Sequence, residues 1–135
     1  MKWSGGESLV LYVDGSAKPN PGPARIGALL ENDGGEQMKT LSRSIGWATN
    51  NEAEYRALLA GLEMAAAVSH KSNHLEVRSD SELMVRQLHG SYRVKKQNLM
   101  PLHRRAIELL RAFPSANIRH IPREMNKAHT VADGC

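Results

Sequence analysis

The sequence contains one cysteine, Cys135, and lacks any long apolar run. A single cysteine cannot form an internal disulfide, so the composition favours a reducing compartment, and we expect the cytoplasm. No stretch approaches the roughly 18 apolar residues that a membrane span needs. The start of the chain also lacks the apolar core of a signal peptide. These absences exclude a disulfide scaffold and argue against a membrane protein.

The composition is otherwise that of an ordinary globular chain. It has 135 residues, of which 41% are hydrophobic and 24% are charged. There is no internal repeat, low-complexity tract or linker, so we expect one domain over residues 1–135, with residues 1–7 flexible. The net charge of +4 is compatible with nucleic acid, but it becomes an argument only beside a site that handles phosphates.

The apolar periodicity predicts strands and helices in the order β-β-β-α-β-α-α-β. A meander of three strands followed by crossovers predicts an α/β fold, with a mixed sheet and helices on its faces. The turn Asn32-Asp33-Gly34-Gly35 is a strong hairpin signal. The predicted strands are Ser8–Asp14, Ile26–Glu31, Gln37–Ile45, Leu75–Ser79 and Asn117–Ile121, and the predicted helices are Asn51–Ser69, Ser81–Leu88 and Asn98–Phe113.

Three acidic residues, Asp14, Glu54 and Asp80, lie where predicted elements begin or end. Each has a structural alternative. Asp14 could be a turn residue, Glu54 could close a capping box with Asn51, and Asp80 could be a helix N-cap. A right-handed crossover, however, makes the strands before Asp14 and Asp80 parallel neighbours or nearly so, and it brings both residues to one sheet edge. Glu54, in the first turn of the connecting helix, can reach the same edge.

Carboxylates that converge in this way repel one another unless a cation lies between them. Hard oxygen ligands without a cysteine or a histidine pair favour Mg²⁺ or Mn²⁺ over Zn²⁺. Two such ions about 4 Å apart can promote phosphodiester cleavage. A proofreading-type exonuclease is disfavoured because Asp14 is followed by Gly15 and Ser16, with no second acidic residue two positions on. The pattern therefore predicts a metal-dependent enzyme.

Four motifs in this order give the chain a resemblance to the ribonuclease H type 1 family, in a short form without the basic protrusion. The resemblance implies a five-stranded mixed sheet, in which a three-strand antiparallel meander is joined by two parallel strands. It also implies two-ion, Mg²⁺-dependent endonucleolytic cleavage of the RNA strand of RNA/DNA hybrids, leaving 3′-hydroxyl and 5′-phosphate ends. The family's proteins need no obligatory partner, and we expect a monomer. The motifs are D-G-S-A-K-P-N-P-G-P, T-N-N-E-A-E-Y, S-D-S-E-L and, near the end, H-I-P-R-E-M-N-K.

The resemblance also assigns roles to individual positions. Asp14, Glu54 and Asp80 match the first three metal-binding carboxylates. Arg123 matches a position where some members have a histidine thought to help product release and others an arginine, which can hold a phosphate but cannot shuttle protons near neutral pH. The residues that match contacts to the hybrid's backbone are Asn20, Thr49, Asn50 and Asn51.

The C-terminal segment departs from the family's pattern. Short members usually read Asn-x-x-Ala-Asp, whereas here Ala132-Asp133 follows Asn126 only after a longer spacer. An ungapped alignment puts Thr130 in the fourth carboxylate's position, and a gapped one puts Asp133 there. We favour Asp133 over Thr130 or His129, reached through an enlarged loop, and expect the closing helix to be truncated or absent. The alternative function is a catalytically weakened protein that only binds nucleic acid.

Overall fold

The computed structural model of the protein describes residues 8–68 and 74–132. Residues 1–7, for which the sequence predicts flexibility, lie outside this part of the chain, as does Asp133. A 3-10 turn at Arg123–Met125 precedes the last helix. The elements are β1 (Ser8–Ala17), β2 (Gly22–Glu31), β3 (Gln37–Ala48), α1 (Asn50–Val68), β4 (His74–Ser79), α2 (Glu82–Leu88), α3 (Met100–Arg111), β5 (Ala116–His120) and α4 (Ala128–Ala132).

The strands form one mixed sheet in the order β3-β2-β1-β4-β5. β1 pairs with β2, and β2 with β3, in antiparallel fashion, whereas β1 pairs with β4, and β4 with β5, in parallel. The predicted α/β class and five-stranded mixed sheet are therefore confirmed. The predicted hairpin is also present, and the side-chain oxygen of Asn32 accepts hydrogen bonds from the backbone N–H groups of Gly34 and Glu36 at 3.0 and 2.9 Å.

β1 is apolar on both faces because it is covered on both sides. Leu11 and Val13 point towards α1 and belong to the main core between the sheet and the first three helices. Tyr12 points the other way and packs with Leu29 and Ala128 in a smaller cluster beneath α4. Because successive strand residues face opposite sides, the short helix α4 covers the face of the sheet that α1 leaves open.

Two predicted boundaries differ from the structure. β1 continues past Asp14 to Ala17 because β2 remains paired with it over that stretch. α3 begins at Met100 rather than Asn98 and has a proline in its first turn, where the missing N–H costs no helical hydrogen bond. No helix in the described ranges is long and apolar enough to span a membrane.

Candidate active site

The candidate site lies where β4 ends and β1 continues. The last parallel pair of residues is Val13 and Ser79. Asp14 and Asp80 are the next residues on their strands, so both acidic side chains lie at the carboxyl end of β4. Asp14 itself is inside β1, opposite Gly27 of β2, and not at the end of a strand as predicted. The strand thus fixes the backbone of Asp14 on the β2 side and leaves the β4 side open.

Helix α1 approaches this edge closely because residue 15 is glycine. A Cβ atom on Gly15 would lie 2.2 Å from the carbonyl oxygen of Ala53, which no side chain could tolerate. The close approach lets the backbone N–H of Gly15 donate a hydrogen bond to Glu54 Oε1 at 3.1 Å. The sequence Asp-Gly therefore serves two purposes, since it supplies one carboxylate and makes room for another.

The three predicted carboxylates converge. Asp14, Glu54 and Asp80 each offer one oxygen, and these oxygens lie within 4.8 Å of one another. Asp14 is only 4% exposed, and the other two are half-buried. Asp80 Oδ2 is buried and has no hydrogen-bond partner among the described residues. A buried oxygen without a partner is costly, and a cation at this position would satisfy it. The donor set and its geometry thus fit a divalent metal ion.

Burial and mutual repulsion disfavour the charged forms of two of these groups. Burial raises the pKa of Asp14, and the charge of Asp80 raises it further, against the opposing effects of His129 and Arg123. Burial also raises the pKa of Glu54 well above its usual range, with Asp14 and then Asp80 adding to the effect. Without a cation, the site therefore holds its protons more tightly than isolated carboxylates do.

The helix caps near the site are made by other residues. Thr49 and Glu52 form a reciprocal capping box, in which the Thr49 N–H donates to Glu52 Oε1 at 2.8 Å and the Glu52 N–H donates to Thr49 Oγ1 at 3.1 Å. Ser81 caps α2 through its hydroxyl. The capping alternatives considered for Glu54 and Asp80 are therefore wrong, and both carboxylates are left for the site.

Helix α4 brings a histidine to the site. His129 Nδ1 lies 3.2 Å from Asp14 Oδ2, and its Nε2 lies 3.4 Å from Arg123 Nη2. Arg123, predicted as a phosphate ligand, is thus beside the acidic edge. The sequence gave no signal for the position of His129, because scattered histidines in short segments have no readable period. Thr130 is exposed, and Asp133 lies outside the described residues.

α4 is attached to the sheet by a few specific contacts. Asn126 Nδ2 donates to the carbonyl oxygen of Val13 at 2.9 Å, and its Oδ1 accepts the first N–H of α4 at 3.0 Å. Gly27 permits contact with the helix end, since a Cβ there would lie 2.4 Å from the nitrogen of Ala132. The segment after Asn126 is therefore a five-residue helix rather than the predicted enlarged loop, because Asn126 caps it.

Three of the four predicted substrate contacts form a linked group at the start of α1. Asn20 Oδ1 accepts from the backbone N–H of Asn50 at 2.9 Å, and Asn50 Oδ1 accepts from the N–H of Ala17 at 2.7 Å. Because both oxygens are bound to the backbone, each side chain presents its NH₂ group as a donor. Thr49 joins the group through its cap, and Asn51 lies in the same first turn.

Two further residues near α1 differ from expectation or were missed. Trp47 is 72% exposed, so the prediction that it is a packing residue is wrong. Its position, two residues before Thr49, was the only sequence signal of a binding role. Asn98 Nδ2 donates to Glu52 Oε2 at 3.0 Å and thereby ties the segment before α3 to the start of α1. No periodic pattern in the sequence indicated that contact.

The largest cavity in the described part of the chain is elsewhere. It has a volume of about 860 Å³ and lies between the end of α2 and α3, lined by Tyr92, His103 and Arg104 among others. None of the three carboxylates lines it. An open edge without a deep cavity suits a long, stiff ligand such as a duplex better than a small molecule.

Solved structures share this fold. The crystal structure of RNase H1 from the archaeon Halobacterium salinarum matches with a TM-score of 0.89 and 38% identity, covering 93% of this chain and 95% of that chain. LC11-RNase H1, solved in complex with an RNA/DNA hybrid, matches with a TM-score of 0.88 and 37% identity, over 94% of this chain and 95% of that chain. The sheet and its helices therefore define a ribonuclease H-like domain.

The family described as reverse transcriptase-like matches residues 12–135. The chain belongs to this family, as a ribonuclease H-like member, which confirms the resemblance inferred from the motifs.

Two curated relatives are longer than this chain. Ribonuclease HI of Halobacterium salinarum is 40% identical over 116 residues, which are 86% of this chain and 57% of that protein. The bifunctional protein Rv2228c of Mycobacterium tuberculosis is 37% identical over 126 residues, which are 93% of this chain and 33% of that protein. The chain thus spans little more than half of the first relative and a third of the second.

Proposed function

We propose that this chain is a ribonuclease H, an endonuclease that hydrolyses the RNA strand of RNA/DNA hybrids. The observation that carries the proposal is the convergence of Asp14, Glu54 and Asp80, with one oxygen of each within 4.8 Å of the others. Its support from similar proteins is the likeness to ribonuclease HI of Halobacterium salinarum and to LC11-RNase H1, which was solved with a hybrid bound.

The three carboxylates would hold Mg²⁺ or Mn²⁺, two ions per site when substrate is present. The hard oxygen donors, the partnerless Asp80 Oδ2 and the raised pKa values of Asp14 and Glu54 all fit a site that a dication completes. Bound ions would supply Lewis acidity and a more acidic water. Asp133 follows Ala132, which lies against the cross-strand neighbour of Asp14, and we propose Asp133 as the fourth ligand.

The remaining residues of the edge would position the scissile phosphate and the metal ligands. Arg123 is exposed and close to His129, where its guanidinium can hold a phosphate oxygen but cannot act as a base. His129 contacts Asp14 Oδ2 and would orient that carboxylate. Asn126 fixes the start of α4 to the backbone of β1 beside Asp14. These contacts give the site a basic side opposite its acidic one.

The hybrid would lie over the start of α1. Asn20 and Asn50 offer NH₂ donors to phosphates and 2′-hydroxyls in a shallow minor groove, and Thr49 and Asn51 lie beside them. The exposed ring of Trp47 extends this surface along the end of β3. We further propose that the domain acts as a monomer in the cytoplasm, a proposal supported by the composition and tested by sedimentation of the purified chain.

The test is cleavage of an end-labelled RNA/DNA hybrid. We expect cutting of the RNA strand with Mg²⁺ or Mn²⁺, none with chelator, and 5′-phosphate products. Duplex DNA should be spared, and a hybrid with 2′-deoxy substitutions around one site should not be cut there. Binding should weaken as salt rises because basic residues displace counterions. Binding without cleavage in either metal would instead support the weakened, binding-only alternative.

A further inference from the structure

A groove runs between α1 and the edge strand β3, away from the acidic edge. Two adjoining cavities of about 330 and 340 Å³ form it, and both are lined by Arg43, Ala60 and Glu63. We call it the α1–β3 groove. Its walls include Lys39, Leu41 and Arg43 from β3, and Arg56, Leu59 and Glu63 from α1.

The strand side of the α1–β3 groove alternates charged and apolar residues. Leu41 pairs with Ala28 of β2, whose side chain faces Gly61 of α1, so the odd-numbered residues of this part of β3 face the helix. Leu41 and Ile45 are half-buried and pack against the main core. The groove therefore has an apolar floor between cationic positions, spaced two residues apart as in a strand.

The outer edge of β3 is open along the groove. β3 has 12 residues, and it is the last strand of the sheet on that side. No strand in the described ranges pairs with its outer edge, so the N–H and C=O groups there can bind another extended chain. An open strand edge beside an apolar groove matches the mode in which a peptide adds a strand and places alternate side chains in pockets.

The charge of the groove selects among possible occupants. Lys39, Arg43 and Arg56 are exposed, and none forms an ion pair within the described residues. Glu63 is the one acidic residue that lines the two cavities, so their charged residues carry a net charge of +2. A second copy paired at this edge would bring like charges together, whereas an acidic chain would neutralise them.

We propose that the α1–β3 groove binds an extended acidic peptide that adds a strand to the edge of β3. The apolar side chains of the peptide lie on Leu41 and Ile45, and its carboxylates lie against Lys39 and Arg43. The stretch between Lys39 and Ile45 is seven residues long, which corresponds to about 23 Å of extended chain. This site does not depend on the metal centre, because none of its residues belongs to the acidic edge.

The test uses a fluorescein-labelled, eight-residue peptide of alternating Asp and Val. We expect saturable binding by anisotropy that weakens with salt, together with slower amide hydrogen exchange in β3 at residues 39–45. Replacing Asp with Lys in the peptide, or methylating alternate backbone nitrogens, should abolish binding. The double variant Lys39→Glu, Arg43→Glu should bind at least tenfold more weakly. Arg105→Glu, at an exposed position on α3, is the control and should bind normally.

Several outcomes would overturn this inference. Equal binding of the methylated peptide would show that strand addition is absent, and an unchanged affinity in the double variant would remove the proposed charge contact. Self-association of the chain that is lost in the double variant would identify a second copy as the occupant. Hybrid cleavage by the double variant should equal that of the original chain, so a loss of cleavage would assign the groove to the hybrid interface instead.

Discussion

The acidic edge has two sides that are held in different ways. On the sheet side, Asp14 and Asp80 follow directly after the last parallel pair of β1 and β4, next to a core of fully buried residues. On the other side, α4 has five residues, and it is tied to the sheet mainly by Asn126 and by the pair of Lys127 with Glu31. One side is part of the sheet, whereas the other is attached to it.

The difference separates chemistry from positioning. A side chain on the sheet side can be changed without moving the backbone, because the ladder on both strands holds its Cα atom. The α4 side depends on single side-chain hydrogen bonds, each worth about 1 kcal/mol. We therefore expect changes on the sheet side to remove activity and keep the fold, and changes on the α4 side to have graded effects.

The largest effect is expected for Asp80→Asn and Asp14→Asn. Each removes a charged ligand, and a loss of about 4 kcal/mol of metal-dependent stabilisation corresponds to at least about a thousandfold lower kcat. The metal-free variants should be as stable as the original chain or slightly more so, because like-charge repulsion is relieved. Initial rates on labelled hybrid and thermal unfolding with chelator measure both.

Asp33→Asn is the matched control for these two variants. It removes the same charge from the exposed β2–β3 turn and should leave turnover unchanged. Near-normal turnover by Asp80→Asn would remove the basis for the metal assignment.

The next largest effect should come from the end of the chain. Asp133→Asn should lower kcat by about a hundredfold, a cost of roughly 2.7 kcal/mol, and more in Mg²⁺ than in Mn²⁺. Thr130→Ala should change little, since Thr130 is exposed. His129→Ala should have an intermediate effect, because Asp14 loses the contact at 3.2 Å that orients it. If Thr130→Ala and Asp133→Asn prove equally damaging, the gapped alignment is wrong and the binding-only alternative gains support.

A third prediction uses pH to compare the site with and without metal. The pKa values of Asp14 and Glu54 are raised above ordinary values of 3.8 and 4.5. The folded, metal-free chain therefore binds more protons than the unfolded one, and its stability is full below these values and is lost as pH rises through the raised pKa values. Glu54→Gln should flatten this decline, by about 1.4 kcal/mol per pKa unit removed.

Urea unfolding in chelator, from about pH 4 to about pH 8, measures this decline. Saturating Mg²⁺ should stabilise the original chain at the upper end of the range more than it stabilises Glu54→Gln. A decline of the same size in both proteins would show that Glu54 is not the group responsible.

The two sides of the edge also differ in how well the sequence predicts them. Strand alternation and the helical period gave the sheet, its order of elements and the convergence of Asp14, Glu54 and Asp80, because these follow from local patterns and the handedness of crossovers. The capping roles of Thr49 and Ser81 were not predicted, since several polar residues near a helix start could each serve as the cap.

The α4 side was not predictable in the same way. Five residues are too few to show a helical period, and the close contact at Gly27 depends on two segments far apart in sequence. The position of His129 follows from that contact and from the cap at Asn126. The exposure of Trp47 was missed for a similar reason, because a tryptophan in a strand pattern is apolar whether it faces the core or the solvent.

The smallest effect, and the last prediction, concerns Trp47. Its ring is 72% exposed at the end of β3, two residues before Thr49, on the surface that we assign to the hybrid. Stacking of a nucleotide on an aromatic ring is worth about 1–3 kcal/mol. For Trp47→Ala we expect about 1 kcal/mol, which corresponds to roughly a fivefold higher KM with an unchanged kcat. Met38→Ala, an exposed apolar residue at the other end of the same strand, should leave both constants unchanged. A lower kcat in Trp47→Ala would mean that the residue acts on the metal edge, and an unchanged KM would place the hybrid away from β3.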